Sequence, residues 1–209
     1  MLETKYFKFS DKMLQFAKLQ IGMMSKDLLV YDKVSEAEYA IVEPFFRDIK
    51  DVSVLDLGCG LGRMSVFLNK MIQNPSIHYI LADGDCDNNI GKIKNGWNPK
   101  SVFYNQLDLT QIFCEENGLD NFSILNLKDG LSRLKNINIV FSFFAVGFHY
   151  PIEKYIDNLL LSTSKDCIFV FGTRTGHYEQ SPFPNILTEV HSDVNSVDPK
   201  EIIRIYERT

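Results

Sequence analysis

The chain has 209 residues, 45% of them hydrophobic, and a net charge of −5. That is enough apolar material for one sizeable core, and the acidic balance argues against a broad phosphate-binding surface and so against nucleic acid as a substrate. The amino-terminal stretch lacks an apolar signal core and no apolar run is long enough to span a bilayer, which points to the cytoplasm.

Residues 1–33 read as a helical extension or lid, with residues 34–209 as the main domain. Phe7, Phe9, Met13, Leu14, Phe16 and Ala17 suggest one or two short amphipathic helices, which either cover a cleft or pack against the sheet's edge. Ser35 and Glu38 have capping-box spacing, with Ser35 as N-cap. Tyr39, Ile41, Val42, Phe45 and Phe46 continue as an apolar helical face, which Pro44 is expected to kink or split.

The most informative stretch is Val54-Leu55-Asp56-Leu57-Gly58-Cys59-Gly60-Leu61-Gly62-Arg63. A short apolar run ends in a carboxylate, three alternate glycines follow, and a helix-forming segment begins at Arg63. This is the strand, tight turn and helix start of a doubly wound sheet. Glycines let backbone approach a ligand, and the helix N-terminus favours a negative group. The dinucleotide fingerprint Gly-x-Gly-x-x-Gly fails in both frames, ending on Arg63 or on Ser65. Asp56, just before the loop, suits an ammonium group and repels a pyrophosphate.

Asp56-Leu57-Gly58-Cys59-Gly60-Leu61-Gly62 resembles the first motif of class I S-adenosylmethionine-dependent methyltransferases, and a weaker likeness runs from residue 52 to residue 170. The resemblance implies an α/β fold: a Rossmann-like, doubly wound, mostly parallel seven-stranded sheet closed by a C-terminal antiparallel hairpin. It also implies S-adenosylmethionine as cofactor, S-adenosylhomocysteine as product, and cofactor contacts from Asp56, Gly58, Cys59, Gly60, Gly62 and Arg63.

Farther along, residues 77–81 form a second strand that stops at Asp83, whose two oxygens match two ribose hydroxyls; Asp83-Gly84-Asp85 is also a good turn. Residues 88–96 have poor helix formers, and residues 101–104 are a third strand. Asp108, with Leu109 beside it, follows; by resemblance the acid accepts from the adenine amino group, and it could equally be a helix N-cap. Residues 122–127 are ambiguous and 129–134 look helical. Residues 137–144 are apolar on both faces, as a central parallel strand should be, with Ser142 a further candidate cofactor contact.

The loop after that strand, Ala145-Val146-Gly147-Phe148-His149-Tyr150-Pro151, lies beside the switch-point crevice, and Pro151 opens a helix through Leu161. His149 is the candidate base for an acceptor hydroxyl, against a packing role in the loop. Tyr150 orients the acceptor or belongs to the core. Residues 167–171 form a fifth strand; Arg174 and His177 in its loop are candidates for an anionic part of the substrate. Residues 186–190 and 202–206 form the closing hairpin, joined by a polar, mobile 191–199 connection.

The cysteines Cys59, Cys86, Cys114 and Cys167 have no metal-ligand spacing and read as free thiols. Ser142-Phe143-Phe144-Ala145 supplies no carboxylate or amide, so no metal is expected. The stretch around Gly147-Phe148-His149-Tyr150-Pro151-Ile152-Glu153 resembles bacterial small-molecule methyltransferases associated with sugar O-methylation in surface-polysaccharide biosynthesis. The reading is therefore O-methylation of a small hydroxylated metabolite. The alternatives are N-methylation, carboxyl or phosphate O-methylation, and a non-catalytic cofactor-binding protein. Oligomeric state is left open.

Overall fold

The computed structural model describes residues 1–20, 28–47, 49–84, 105–148, 150, 152–174 and 187–208. The third strand expected at 101–104, the segment 88–96, Pro151, His149 and His177 lie outside the described residues.

The chain opens with a small antiparallel pair, β1 (Leu2–Glu3) and β2 (Lys8–Phe9), followed by α1 (Asp11–Gln20). The amino-terminal segment is thus part strand, where only helix was expected. Its aromatic residues fix it. Phe7 and Phe9 meet Tyr31 edge to face at 5.2 and 5.3 Å, and both rings also pack on Phe113. The Asp32 carboxylate accepts from Thr4 Oγ1 and from the Lys5 amide.

Helix α2 (Leu29–Phe46) crosses the expected boundary at residue 33/34 and buries Tyr31 and Asp32 with the rest of the domain. Ser35 is an interior residue of α2, not its cap: its Oγ donates to the Tyr31 carbonyl one turn back. Pro44 falls in the last turn, so it removes one late hydrogen bond and the helix still reaches Phe46.

Seven strands form the main sheet in the order β5-β4-β3-β6-β7-β9-β8. These are β3 (Ser53–Leu57), β4 (His78–Asp83), β5 (Phe122–Asn126), β6 (Ile137–Ser142), β7 (Thr163–Arg174), β8 (Leu187–Val194) and β9 (Glu201–Arg208). The first five in spatial order are parallel, and β9 runs antiparallel between β7 and β8. From β3 the chain winds outward to β4 and β5, then returns to β6 on the other side of β3. The switch point is therefore between β3 and β6, and a crevice opens at their carboxyl ends.

One face of the sheet is covered by β1, β2, α1, α2, α3 (Arg63–Ile72) and α4 (Leu107–Glu116) around a core that includes Phe67, Phe113 and Phe141. The other carries α5 (Ile156–Ser162) over Leu55, Val140 and Phe169. The helix expected at 129–134 is a single 3₁₀ turn, Leu127–Asp129, ended by Gly130 at φ 76°. The hairpin is longer than expected: residues 191–194 belong to β8. The remaining connection is organised around Asn195, fully buried, whose Oδ1 accepts from the Val197 and Asp198 amides.

Candidate functional site

The loop after β3 needs its glycines. Gly58, Gly60 and Gly62 have φ values of 74°, 56° and 85°, a left-handed backbone that side chains resist. Two also lack room. A Cβ on Gly58 would stand 2.4 Å from Ala145 Cβ, and one on Gly62 would stand 2.5 Å from Leu81 Cδ2. Gly58 is thus where the β3 and β6 loops touch across the switch point.

Hydrogen bonds hold the loop to its neighbours. The Gly58 and Cys59 amides donate to the Ala82 carbonyl of β4. Asp83, the last residue of β4, accepts from Gly60 N through Oδ2 and from Gly84 N through Oδ1, each at 2.7 Å. Asn105 Nδ2 and Thr110 Oγ1 both donate to the Gly60 carbonyl, at 2.7 Å. Ser142 Oγ donates to the Leu57 carbonyl and accepts from Val146 N, which ties the end of β3 to the loop after β6.

The resulting cavity is lined on one side by Asp56, Gly58, Cys59, Gly60, Arg63 and Met64, with Asp83 and Asn105 at its end. The opposite wall is Phe143, Phe144, Ala145 and Tyr150. Of the residues expected at a cofactor, Asp56, Gly58, Cys59, Gly60, Arg63 and Asp83 line it. Gly62, Gly84, Leu109 and Ser142 are not in the lining. Gly62 and Ser142 support it from behind. Asp108 is exposed in the first turn of α4, where its Oδ1 accepts from Leu109 N, and the helix is capped at Gln106, not at Asp108.

Three polar features of the lining bear on charge. Asp56 is buried and accepts from Ser65 Oγ at 2.8 Å; burial pushes its carboxyl up to about 7. Arg63 is buried too. Its Nη2 donates to both oxygens of Glu38, at 2.8 and 2.7 Å, and its Nη1 donates to Ser35 Oγ at 2.8 Å. Burial raises the Glu38 carboxyl to about 7 even beside this guanidinium. The Cys59 thiol is pushed well above its usual range by the same cause, so it is a packing group and not a nucleophile.

Sequence reasoning missed Glu38 as Arg63's partner, Asn105, Thr110 and Phe144. The capping-box spacing was the visible signal at Glu38, read for the wrong role. Asn105 Oδ1 is buried without a hydrogen-bond partner among the described residues, at the wall of the cavity. Phe144 has φ 56°, a rare conformation for a large side chain and a form of strain that collects at functional sites.

The geometry tests for one cofactor class. The loop amides approach closely, Asp56 offers a carboxylate for an ammonium, and Asp83 places a carboxylate, an acceptor for hydroxyl donors, at the cavity wall. Asn105 Oδ1 awaits a donor. A pyrophosphate would face Asp56 and Asp83 instead. The residues fit an adenosyl amino acid.

No protein-family profile matches the chain. No curated protein matches it. Solved structures do. The fold is similar to that of a SAM-dependent methyltransferase from Aquifex aeolicus, at 13% identity and a TM-score of 0.61, over 95% of this chain and 98% of that one. It is similar to magnesium protoporphyrin IX methyltransferase from Synechocystis PCC 6803 with bound SAM, at 16% identity and a TM-score of 0.57, over 96% and 93%. A third likeness is to precorrin-6y C5,15-methyltransferase from Geobacter metallireducens GS-15, at 13% identity and a TM-score of 0.55, over 97% and 94%. The chain has the Rossmann-like fold of these methyltransferases.

Proposed function

We propose that this protein is an S-adenosylmethionine-dependent methyltransferase acting on a hydroxyl of a small metabolite, a sugar or sugar derivative of the kind used in bacterial surface polysaccharide. One observation carries the reading. The glycine loop, Asp56 and Asp83 frame a cavity at the switch point whose opposite wall is the loop after β6.

Asp56, when ionised, holds the ammonium of the amino acid part. Asp83 accepts from the ribose hydroxyls, and Asn105 Oδ1 accepts from a further donor at that end. Bound there, S-adenosylmethionine supplies an electrophilic methyl group on a sulfonium. The protein's own contribution is alignment and exclusion of water. Phe143, Phe144 and Tyr150 form the wall where an acceptor would lie, with aromatic faces suited to the C–H surface of a sugar. The acceptor's hydroxyl proton must leave as the new C–O bond forms. His149, beside Tyr150 in sequence, is the residue we assign to take it. We further propose that the protein works in the cytoplasm; among the described residues no helix is long and apolar enough to cross a membrane.

Calorimetry with S-adenosylmethionine, S-adenosylhomocysteine and NAD tests the cofactor. Binding of the first two is expected, and NAD binding without S-adenosylhomocysteine would overturn the reading. For the base, His149→Ala should lower turnover strongly with S-adenosylhomocysteine affinity nearly intact. Normal turnover in that variant removes His149 from the mechanism.

A further inference from the structure

Arg174 ends β7 at the carboxyl edge of the sheet. In the pairing of β7 with β9 it stands directly opposite Glu201. Opposed residues of an antiparallel pair lie on the same face, with Cβ atoms about 4.5–5.5 Å apart. The register therefore sets up an Arg–Glu ion pair, and the pair does not form.

Gly172 explains why. Two residues before Arg174 and on the same face, it has no side chain, and the Glu201 carboxyl occupies that space. A Cβ on Gly172 would stand 1.9 Å from Glu201 Oε1. Glu201 Oε2 accepts from Asn195 Nδ2 at 2.7 Å, and the residue is fully buried. The carboxyl is turned back into the sheet, beyond ion-pairing distance of Arg174.

Arg174 is left half-buried over an aromatic shelf. Its guanidinium lies 5.6 Å from the centre of the Phe148 ring. Phe148 meets Phe144 edge to face at 5.2 Å, and Phe144 lines the cavity. Among the described residues no carboxylate pairs with Arg174. Arg63 and Arg204, by contrast, are both engaged, with Glu38 and Glu189. A cation over a ring is held in orientation while its N–H edges stay free for a planar or tetrahedral anion.

The charges are therefore segregated. Asp56 and Asp83 stand at the cofactor end. The arginine stands beside the β6 loop, where the acceptor would lie. We propose that Arg174 selects an acceptor bearing a carboxylate or phosphate, so that the methylated compound is an acidic hydroxyl compound such as a uronic acid or a sugar phosphate. This inference rests on the reading of the acceptor side given above.

The test uses the full chain saturated with S-adenosylhomocysteine, with the Arg174 Nε–Hε resonance followed by NMR. Glucuronate, glucose 6-phosphate and glucose are titrated at constant ionic strength, with chloride as control. At least one acidic sugar should bind saturably, shift that resonance and bind at least tenfold more tightly than glucose. Which of the two does so separates carboxylate from phosphate recognition. Arg174→Gln should abolish the preference and Arg174→Lys should retain part of it, with circular dichroism unchanged in both. Equal affinity for glucose and the acidic sugars, no saturable shift with either acid, or an undiminished preference in Arg174→Gln would each overturn the proposal. Calorimetry of S-adenosylhomocysteine on the same samples separates the two readings. Failure to bind it removes the methyltransferase reading, while binding it without an anion preference removes only this one.

Discussion

The two walls of the crevice are built on opposite principles. On the β3–β4 side, backbone and carboxylates bind one another. Gly60 alone engages Asp83, Asn105 and Thr110, and Arg63 is locked to Glu38. On the β6–β7 side, the lining is mostly aromatic. Phe144 meets Phe148 edge to face, Phe148 lies under the Arg174 guanidinium, and Phe144 sits in a strained backbone conformation. A wall of fixed polar groups suits a ligand of constant shape, as the proposed cofactor is. A wall of aromatic residues on a loop suits a ligand that differs from one enzyme to the next. The difference teaches where each kind of substitution should act.

The largest effect is expected at the buried ion pair. Glu38→Ala leaves Arg63 charged and without its partner and should cost about 3–5 kcal/mol of stability, measured by urea unfolding. A small loss would mean that the guanidinium finds another partner, and the polar wall would then be less rigid than described.

Next comes the loop itself. Gly62→Ala forces a side chain onto a left-handed backbone, about 1–2 kcal/mol, and overpacks Leu81 and Cys114, about 1–3 kcal/mol more. Gly118→Ala, just past the end of α4, has a similar φ but nothing within 4 Å of the added carbon. It should show the backbone part alone. Equal losses in the two variants would remove the packing argument for Gly62.

Asp83→Ala should weaken S-adenosylhomocysteine by about 1–3 kcal/mol, by calorimetry, because stranded partners must find water. Unchanged affinity would leave Asp83 as a brace for Gly60 and nothing more.

The pH dependence comes from Asp56, lifted by burial from the ordinary carboxylate value of 3.8 to about 7. Between those values the folded protein keeps a proton that the unfolded chain has released. This group therefore contributes stability on the acid side, and that contribution is lost as pH rises through 7. Cofactor affinity should run the other way, since an ammonium needs the ionised carboxylate. S-adenosylhomocysteine should bind roughly tenfold more tightly at pH 7.5 than at pH 6. A flat affinity profile across this range would detach Asp56 from the ammonium.

The smallest effect is expected on the aromatic wall. Phe144→Gly loses ring contacts but relieves the left-handed backbone, so its stability should stay within about 1 kcal/mol of wild type. Phe143→Gly, with no positive φ to relieve, should lose clearly more in the same unfolding assay. Similar losses would mean that Phe144 carries no strain.

The polar wall was largely legible in the sequence. Alternate glycines after an apolar run ending in Asp56 leave few foldable alternatives, because only glycine takes three left-handed positions so cheaply. Asp83 followed from the length of one helix and one strand. Asp108 did not lead to the buried amide at Asn105, because helix phase decides which side chain turns inward, and the start of α4 was misplaced by a few residues. Ser35 and Glu38 matched a cap by spacing alone. Whether that pattern starts a helix or sits inside one depends on what packs before it, here Phe7, Phe9 and Tyr31.

Local constraints were thus settled by the sequence itself: the two strands at the switch point, the glycine turn, and the carboxylate before it, whereas the parallel edge strand β5 falls in the stretch 122–127 that the sequence left ambiguous. Pairing across distance was decided only by tertiary structure. Glu38 meets Arg63 across 25 residues, and Arg174 stands opposite Glu201 only because β9 inserts antiparallel beside β7. Among the described residues no carboxylate pairs with Arg174, because Gly172 leaves room for Glu201 to turn away. Such an outcome depends on sheet register and on a missing side chain two residues away, and no periodicity in the chain carries that information.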